Sequence, residues 1–116
     1  MSLEVKMNVK NDVLCVRLVG ELDHHEADTL RETLVAKFAE SGTKHLILNL
    51  EALSFMDSSG LGVILGRYKQ VQKLGGQVYV CAISKPVQRL FEMSGMFKII
   101  AVAENENVCL EALGVA

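Results

Sequence analysis

At 116 residues, half of them apolar, the chain can bury one hydrophobic core and is too short for two, so a single domain over 1–116 is expected. A formal charge of −2 gives no electrostatic reason to approach nucleic acid, since Arg67, Lys69 and Lys73 share one expected helix but are too few for a basic face. No segment reaches the roughly 20 apolar residues that span a bilayer, and Met1-Ser2-Leu3-Glu4-Val5-Lys6 lacks the apolar stretch of a signal peptide, so no membrane partner and a cytoplasmic location are expected.

Leu3, Val5, Met7 and Val9 alternate with polar residues, and Lys10-Asn11-Asp12 then turns the chain into Val13 to Leu18, which predicts a β-hairpin. From Asp23 to Ser41 the apolar residues Ala27, Leu30, Leu34 and Phe38 recur at helical spacing. Asp23 with Glu26 resembles a capping box, and Gly42 stops the helix. His45 to Leu50 reads as a strand, Glu51 to Asp57 as a loop, and about Ser59 to Leu74 as a second helix ended by Gly75-Gly76. Its apolar stripe is Leu61, Ile64, Leu65, Tyr68 and Val71.

Val78 to Ile83 is a continuous apolar run, as in strands buried on both faces. Ser84 is placed to cap the next helix, Pro86 suits its first turn, Val87, Leu90 and Phe91 form its buried face, and Gly95 ends it. Phe97 to Val102 reads as a last strand and Asn107 to Leu113 as a terminal helix. Cys15 and Cys81 fall within strand-like runs, as reduced buried thiols do, and the odd total of three cysteines argues against a disulfide framework. The order ββαβαβαβα implies an α/β fold. Its sheet is mostly parallel with right-handed crossovers and about four helices, and the N-terminal hairpin adds an antiparallel edge.

Sites in such sheets gather beyond the carboxyl ends of the strands. Three polar loops should meet there: Gly20 to Asp23, Ser54 to Ser59, and Ser84 to Pro86. The second is the most informative, because two hydroxyls at a helix start are followed by Gly60, Gly62 and Gly66, each costing about 1 kcal/mol relative to Ala within a helix. Two readings fit. In one, small residues let the helix lie close to the sheet and Ser58 or Ser59 is its N-cap. In the other, the uncharged stretch 58–66 also presents an apolar surface to a partner. Phosphate on such a serine adds about 1.5 to 2 negative charges that a helix N-terminus tolerates and an interface does not.

Other chemistry finds little support. Gly60 to Gly66 misses the GxGxxG spacing by one residue, and no GxxxxGK[ST] loop exists, so no nucleotide cofactor is expected. His24, His25 and His45 lack metal-ligand spacing, and no serine has a motif-level base, so no metal and no catalytic centre are expected. Glu21, Asp23, Asp57 and Lys85 could imitate a phosphoaspartate receiver. Against that, about three residues separate the first two strands, too few for a parallel crossover.

Met7-Asn8-Val9-Lys10, Gly20-Glu21-Leu22-Asp23-His24-His25, the stretch from Leu48 to Gln70 with Asp57-Ser58-Ser59-Gly60, Val80 to Ser84, Arg89 to Ile100 and Leu113 to Ala116 resemble the STAS-domain anti-anti-sigma factors. The resemblance covers nearly the whole chain and is least distinctive over 26–45 and 101–112. It implies the STAS fold and a non-enzymatic regulator. The unphosphorylated form would bind an anti-sigma factor, itself a serine kinase with bound nucleotide, and so free a sporulation sigma factor. The kinase would phosphorylate the first serine of the motif, Ser58, and a serine phosphatase would restore it. The partner surface so implied takes in Asp23, Asp57, Ser58, Ser59, Gly60, Leu61 and Gly62, with Ser59 in a structural role.

Overall fold

A computed structural model describes residues 2–115. In chain order the elements are β1 (Leu3–Lys10), β2 (Val13–Leu22), α1 (His24–Ser41), β3 (His45–Asn49), β4 (Leu53–Met56), α2 (Ser58–Lys73), β5 (Val78–Cys81), α3 (Lys85–Ser94), β6 (Ala101–Ala103) and α4 (Glu106–Ala112). A 3₁₀ turn at Met96–Lys98 separates α3 from β6.

The strands form one sheet in the order β1-β2-β3-β5-β6. The hairpin β1/β2 is antiparallel and every other pairing is parallel, as the alternation of strands and helices requires. Strand periodicity divides the core. Leu14, Val16 and Leu18 face a large cluster with Leu30, Leu34 and Phe38 of α1, Val63, Ile64 and Val71 of α2, and Val87 and Phe91 of α3. Val13 and Cys15 face the opposite side, where α4 covers Ile47 and Cys81 with Cys109 and Leu110. All three cysteines are free and buried.

The segment expected to be a loop before α2 contains β4. β2 runs ten residues, and β3 pairs only its first half, through Arg17. Leaving the rest of that edge open would strand backbone hydrogen-bonding groups, and β4 takes them up by pairing Gly20, Glu21 and Leu22 with Leu53, Phe55 and Met56. β4 therefore continues β3 along the same neighbour, and a bulge between Gly20 and Glu21 absorbs the change of register. Four residues with Leu53 and Met56 buried at the two ends carry no alternation by which to recognise them.

The last strand is also shorter than expected. Gly95, at φ 77°, ends α3 in the left-handed region. The apolar residues that follow enter the 3₁₀ turn, which buries Met96, with Ile100 buried just after it, and leaves only Ala101–Ala103 for the sheet. Ser84 occupies the N-cap position of α3 without a side-chain cap. Its hydroxyl instead donates to the Leu53 carbonyl at 3.3 Å, tying the loop after β5 to β4.

Candidate functional site

The carboxyl ends of β2 and β4 lie side by side, so the starts of α1 and α2 emerge together. The Asp57 N–H donates to the Leu22 carbonyl at 3.2 Å, which fixes the second loop against the first. Ser54 reinforces the pairing with a hydroxyl bond to the Gly20 carbonyl at 3.0 Å. Two of the loops expected to converge are thus linked by direct hydrogen bonds, and the Ser84 hydroxyl ties the third to β4 through the Leu53 carbonyl.

Neither serine caps α2. Asp57, in extended conformation, is the N-cap, and its Oδ1 accepts the Ser59 N–H at 2.9 Å. Its Oδ2 accepts the His24 N–H of α1 at 3.1 Å, so one carboxylate serves two helices. Asp23 does the corresponding work for α1, its Oδ1 accepting the N–H groups of His25 at 3.0 Å and Glu26 at 3.2 Å. Burial pushes the Asp23 carboxyl upward. The backbone N–H groups of Glu26 and His25, with His25 and His24 nearby, outweigh it and hold the group below the usual carboxylate range.

With Asp57 as the cap, Ser58 becomes the first helical residue, and it is exposed. Ser59 is half-buried, Leu61 is half-buried and Gly62 is exposed. Asp23 at 4% exposure and Gly60 lie inside the molecule, so they shape this end of the domain without forming its outer face. A Cβ on Gly60 would stand 2.6 Å from Met56 Cγ and 2.9 Å from Leu22 Cδ2, which accounts for that glycine as a close approach of α2 to the sheet. The apolar surface expected over 58–66 is reduced accordingly, because Val63 and Ile64 are buried as well.

Sequence reasoning missed the Asp57–His24 bond and the burial of Arg67. The first had a local trace, an Asp two residues ahead of the Ser59 N–H, but its second acceptor oxygen reaches across 33 residues. Arg67, counted from sequence with the exposed bases of α2, is 7% exposed. The receiver-like reading loses its centre here, since both oxygens of Asp57 are engaged by backbone N–H groups.

The sequence pattern of the STAS domain matches residues 4–109. The chain belongs to the STAS domain family. A relative from Paenibacillus polymyxa, the anti-sigma F factor antagonist, is 47% identical over 115 residues, covering 99% of this chain and 98% of its own. The anti-sigma-B factor antagonist of Bacillus subtilis is 40% identical over 103 residues, or 89% of this chain and 91% of its own. Among solved structures, the anti-sigma factor antagonist SpoIIAA in its unphosphorylated form superposes with a TM-score of 0.72 at 27% identity, covering 97% of this chain and 96% of its own. The Bacillus cell fate determinant SpoIIAA in the phosphorylated form gives 0.73 at 29%, covering 97% of this chain and 99% of its own. A protein of Thermotoga maritima shares the fold with a TM-score of 0.88 at 20% identity, over 93% and 92% of the two chains. This STAS chain has no helix, among the described residues, long and apolar enough to cross a membrane.

Proposed function

We infer that this STAS domain is a cytoplasmic anti-sigma factor antagonist, the anti-sigma F type of spore-forming bacteria, switched by phosphorylation of Ser58. The observation that carries the switch is the placement of Ser58 as the exposed first residue of α2, with the cap supplied by Asp57. A phosphate there lies at the positive end of the helix dipole, and because Asp57 already holds the Ser59 N–H it displaces no capping bond. The fold persists while the outer face gains charge.

The unphosphorylated face of Ser58, Leu61 and Gly62, framed by Asp57 and Ser59, docks on an anti-sigma factor that is itself a serine kinase. Docking frees the sigma factor. Transfer of the γ-phosphoryl group of the kinase's ATP to the Ser58 hydroxyl ends the contact, and a serine phosphatase hydrolyses the ester to restore it. ATP and metal ions belong to those enzymes; the domain itself is not an enzyme. Names of the relatives and the two phosphorylation states of SpoIIAA support this reading. Like charge or desolvation at the interface costs several kcal/mol, so binding falls about a hundredfold or more.

Incubation of the wild type, Ser58→Ala and Ser59→Ala with the kinase and ATP, followed by phosphosite mapping, tests it. Label is expected on the wild type and Ser59→Ala only. Phosphate on Ser58→Ala together with an unlabelled Ser59→Ala would assign the switch to the neighbouring serine.

A further inference from the structure

Gly60 is explained by the sheet beneath it; Gly62 and Gly66 are not. A Cβ on either would find no heavy atom within 4 Å, so packing inside the chain does not require a bare helix there. The two lie four residues apart on one face of α2, bordering a groove between α1 and α2. Its upper hollow, next to Ser59 and Gly62, also touches Ala27 and Arg31; its lower hollow, beside Gly66, is walled by Val35, Phe38 and Leu74. Each holds about 450 Å3. Val35 and Leu74 are 41% and 49% exposed.

In the wall of the lower hollow sits a charge without a counterion among the described residues. Arg67 is 7% exposed, its Nε and Nη1 are buried with no hydrogen-bond partner, and so is Gln70 Oε1 one turn further on. Burial, and then neighbouring Arg31, lower its pKa, the direction expected where no carboxylate is near. Lys69 and Lys73 also line the lower hollow. Against these cations the lining of both hollows offers one carboxylate, Asp28, already bridged to Arg31 at 3.0 Å. A buried guanidinium that lacks an anion in the free protein is complemented by one brought from outside.

We propose that the α1/α2 groove is a second docking surface for the anti-sigma kinase, receiving an acidic side chain of that partner against Arg67 while its backbone passes over Gly62 and Gly66. The groove begins at Ser59 and Gly62, beside Ser58, so the two surfaces are continuous. The proposal rests on the functional reading given above. It commits to a partner segment with a carboxylate flanked by apolar residues that meet Val35 and Leu74.

Binding of the purified anti-sigma kinase, loaded with ADP, to the full chain decides it when wild type, Ser58→Glu, Gly66→Leu, Arg67→Gln and Glu111→Lys are compared. Thermal melting of each variant is recorded alongside. Gly66→Leu enters open space and favours the helix, and Arg67→Gln removes an unpaired buried charge, so both should melt no lower than wild type. Each is expected to weaken binding at least tenfold, whereas Glu111→Lys on α4 changes it less than twofold. In the wild-type complex the Arg67 Nε–H signal should shift as the guanidinium gains a carboxylate partner. A kinase that binds wild type but not Ser58→Glu, and binds Gly66→Leu and Arg67→Gln as tightly as wild type, overturns the groove and leaves the Ser58 reading standing. Failure of wild type to bind overturns both. A wild-type dimer in sedimentation that Gly66→Leu makes monomeric, with kinase binding unchanged, would assign the groove to a second copy of this chain instead.

Discussion

Asp57 Oδ2 accepts the His24 N–H at 3.1 Å, so the residue that starts α2 also holds the start of α1. The end of the domain that carries Ser58 is therefore built on one carboxylate that couples two helices. Ser58 can carry a charge there because neither helix start depends on its hydroxyl.

Removing that carboxylate tests the coupling. Asp57→Ala is expected to lower unfolding stability by about 1 to 2 kcal/mol, the loss of a strong N-cap, with additional fraying at His24. Asp57→Asn keeps an acceptor for Ser59 and should lose less. Urea midpoints measure both, and hydrogen exchange at the His24 amide separates the cross-helix bond from the cap. An unchanged His24 exchange rate in Asp57→Ala would dissolve the link.

The glycines of α2 should respond in opposite directions. Gly60→Ala drives a methyl toward Met56 and Leu22 and is expected to cost about 1 to 3 kcal/mol. Gly62→Ala and Gly66→Ala meet open space and should each stabilise by up to about 1 kcal/mol. Chemical denaturation of the three single variants reads the sign directly.

Acid stability follows from two carboxylates. Asp23 is held low against its own burial by the Glu26 and His25 N–H groups. Glu106 is held low first by the side chain of Arg17, whose Nε lies 2.7 Å away, and also by Asn49. A depressed folded pKa means stability that is present above the unfolded value, about 4, and is lost as pH falls through the folded one. Unfolding free energy should drop below about pH 4, and Asp23→Asn or Glu106→Gln should flatten that drop. Parallel wild-type and variant profiles between pH 5 and 2 would contradict the assignment.

Ser58→Glu places a carboxylate at the first position of α2, where the helix dipole favours it by about 0.3 to 1 kcal/mol. Its melting temperature should equal or slightly exceed that of wild type while binding to the anti-sigma kinase is lost. A variant that unfolds at room temperature by circular dichroism would make the effect structural.

Periodicity in the chain determined much of this protein. Alternation from Leu3 to Val9, helical spacing from Ala27 to Phe38 and the glycine stops at Gly42 and Gly95 depend on neighbours a few residues away, and the structure contains those elements where the pattern puts them. The motif Asp57-Ser58-Ser59-Gly60 was legible as a helix start on the functional end of a parallel sheet. Only tertiary structure decided that Leu53–Met56 pairs with the half of β2 that β3 leaves unpaired, that Asp57 caps two helices, that Gly60 is spent on Met56 and Leu22, and that Arg67 lies buried without an anion among the described residues. Each of these is set by groups more than a helical turn away in sequence or by the space between packed helices. A local pattern records what a residue is; which face it closes, and what stays unpaired beside it, depends on what the fold brings against it.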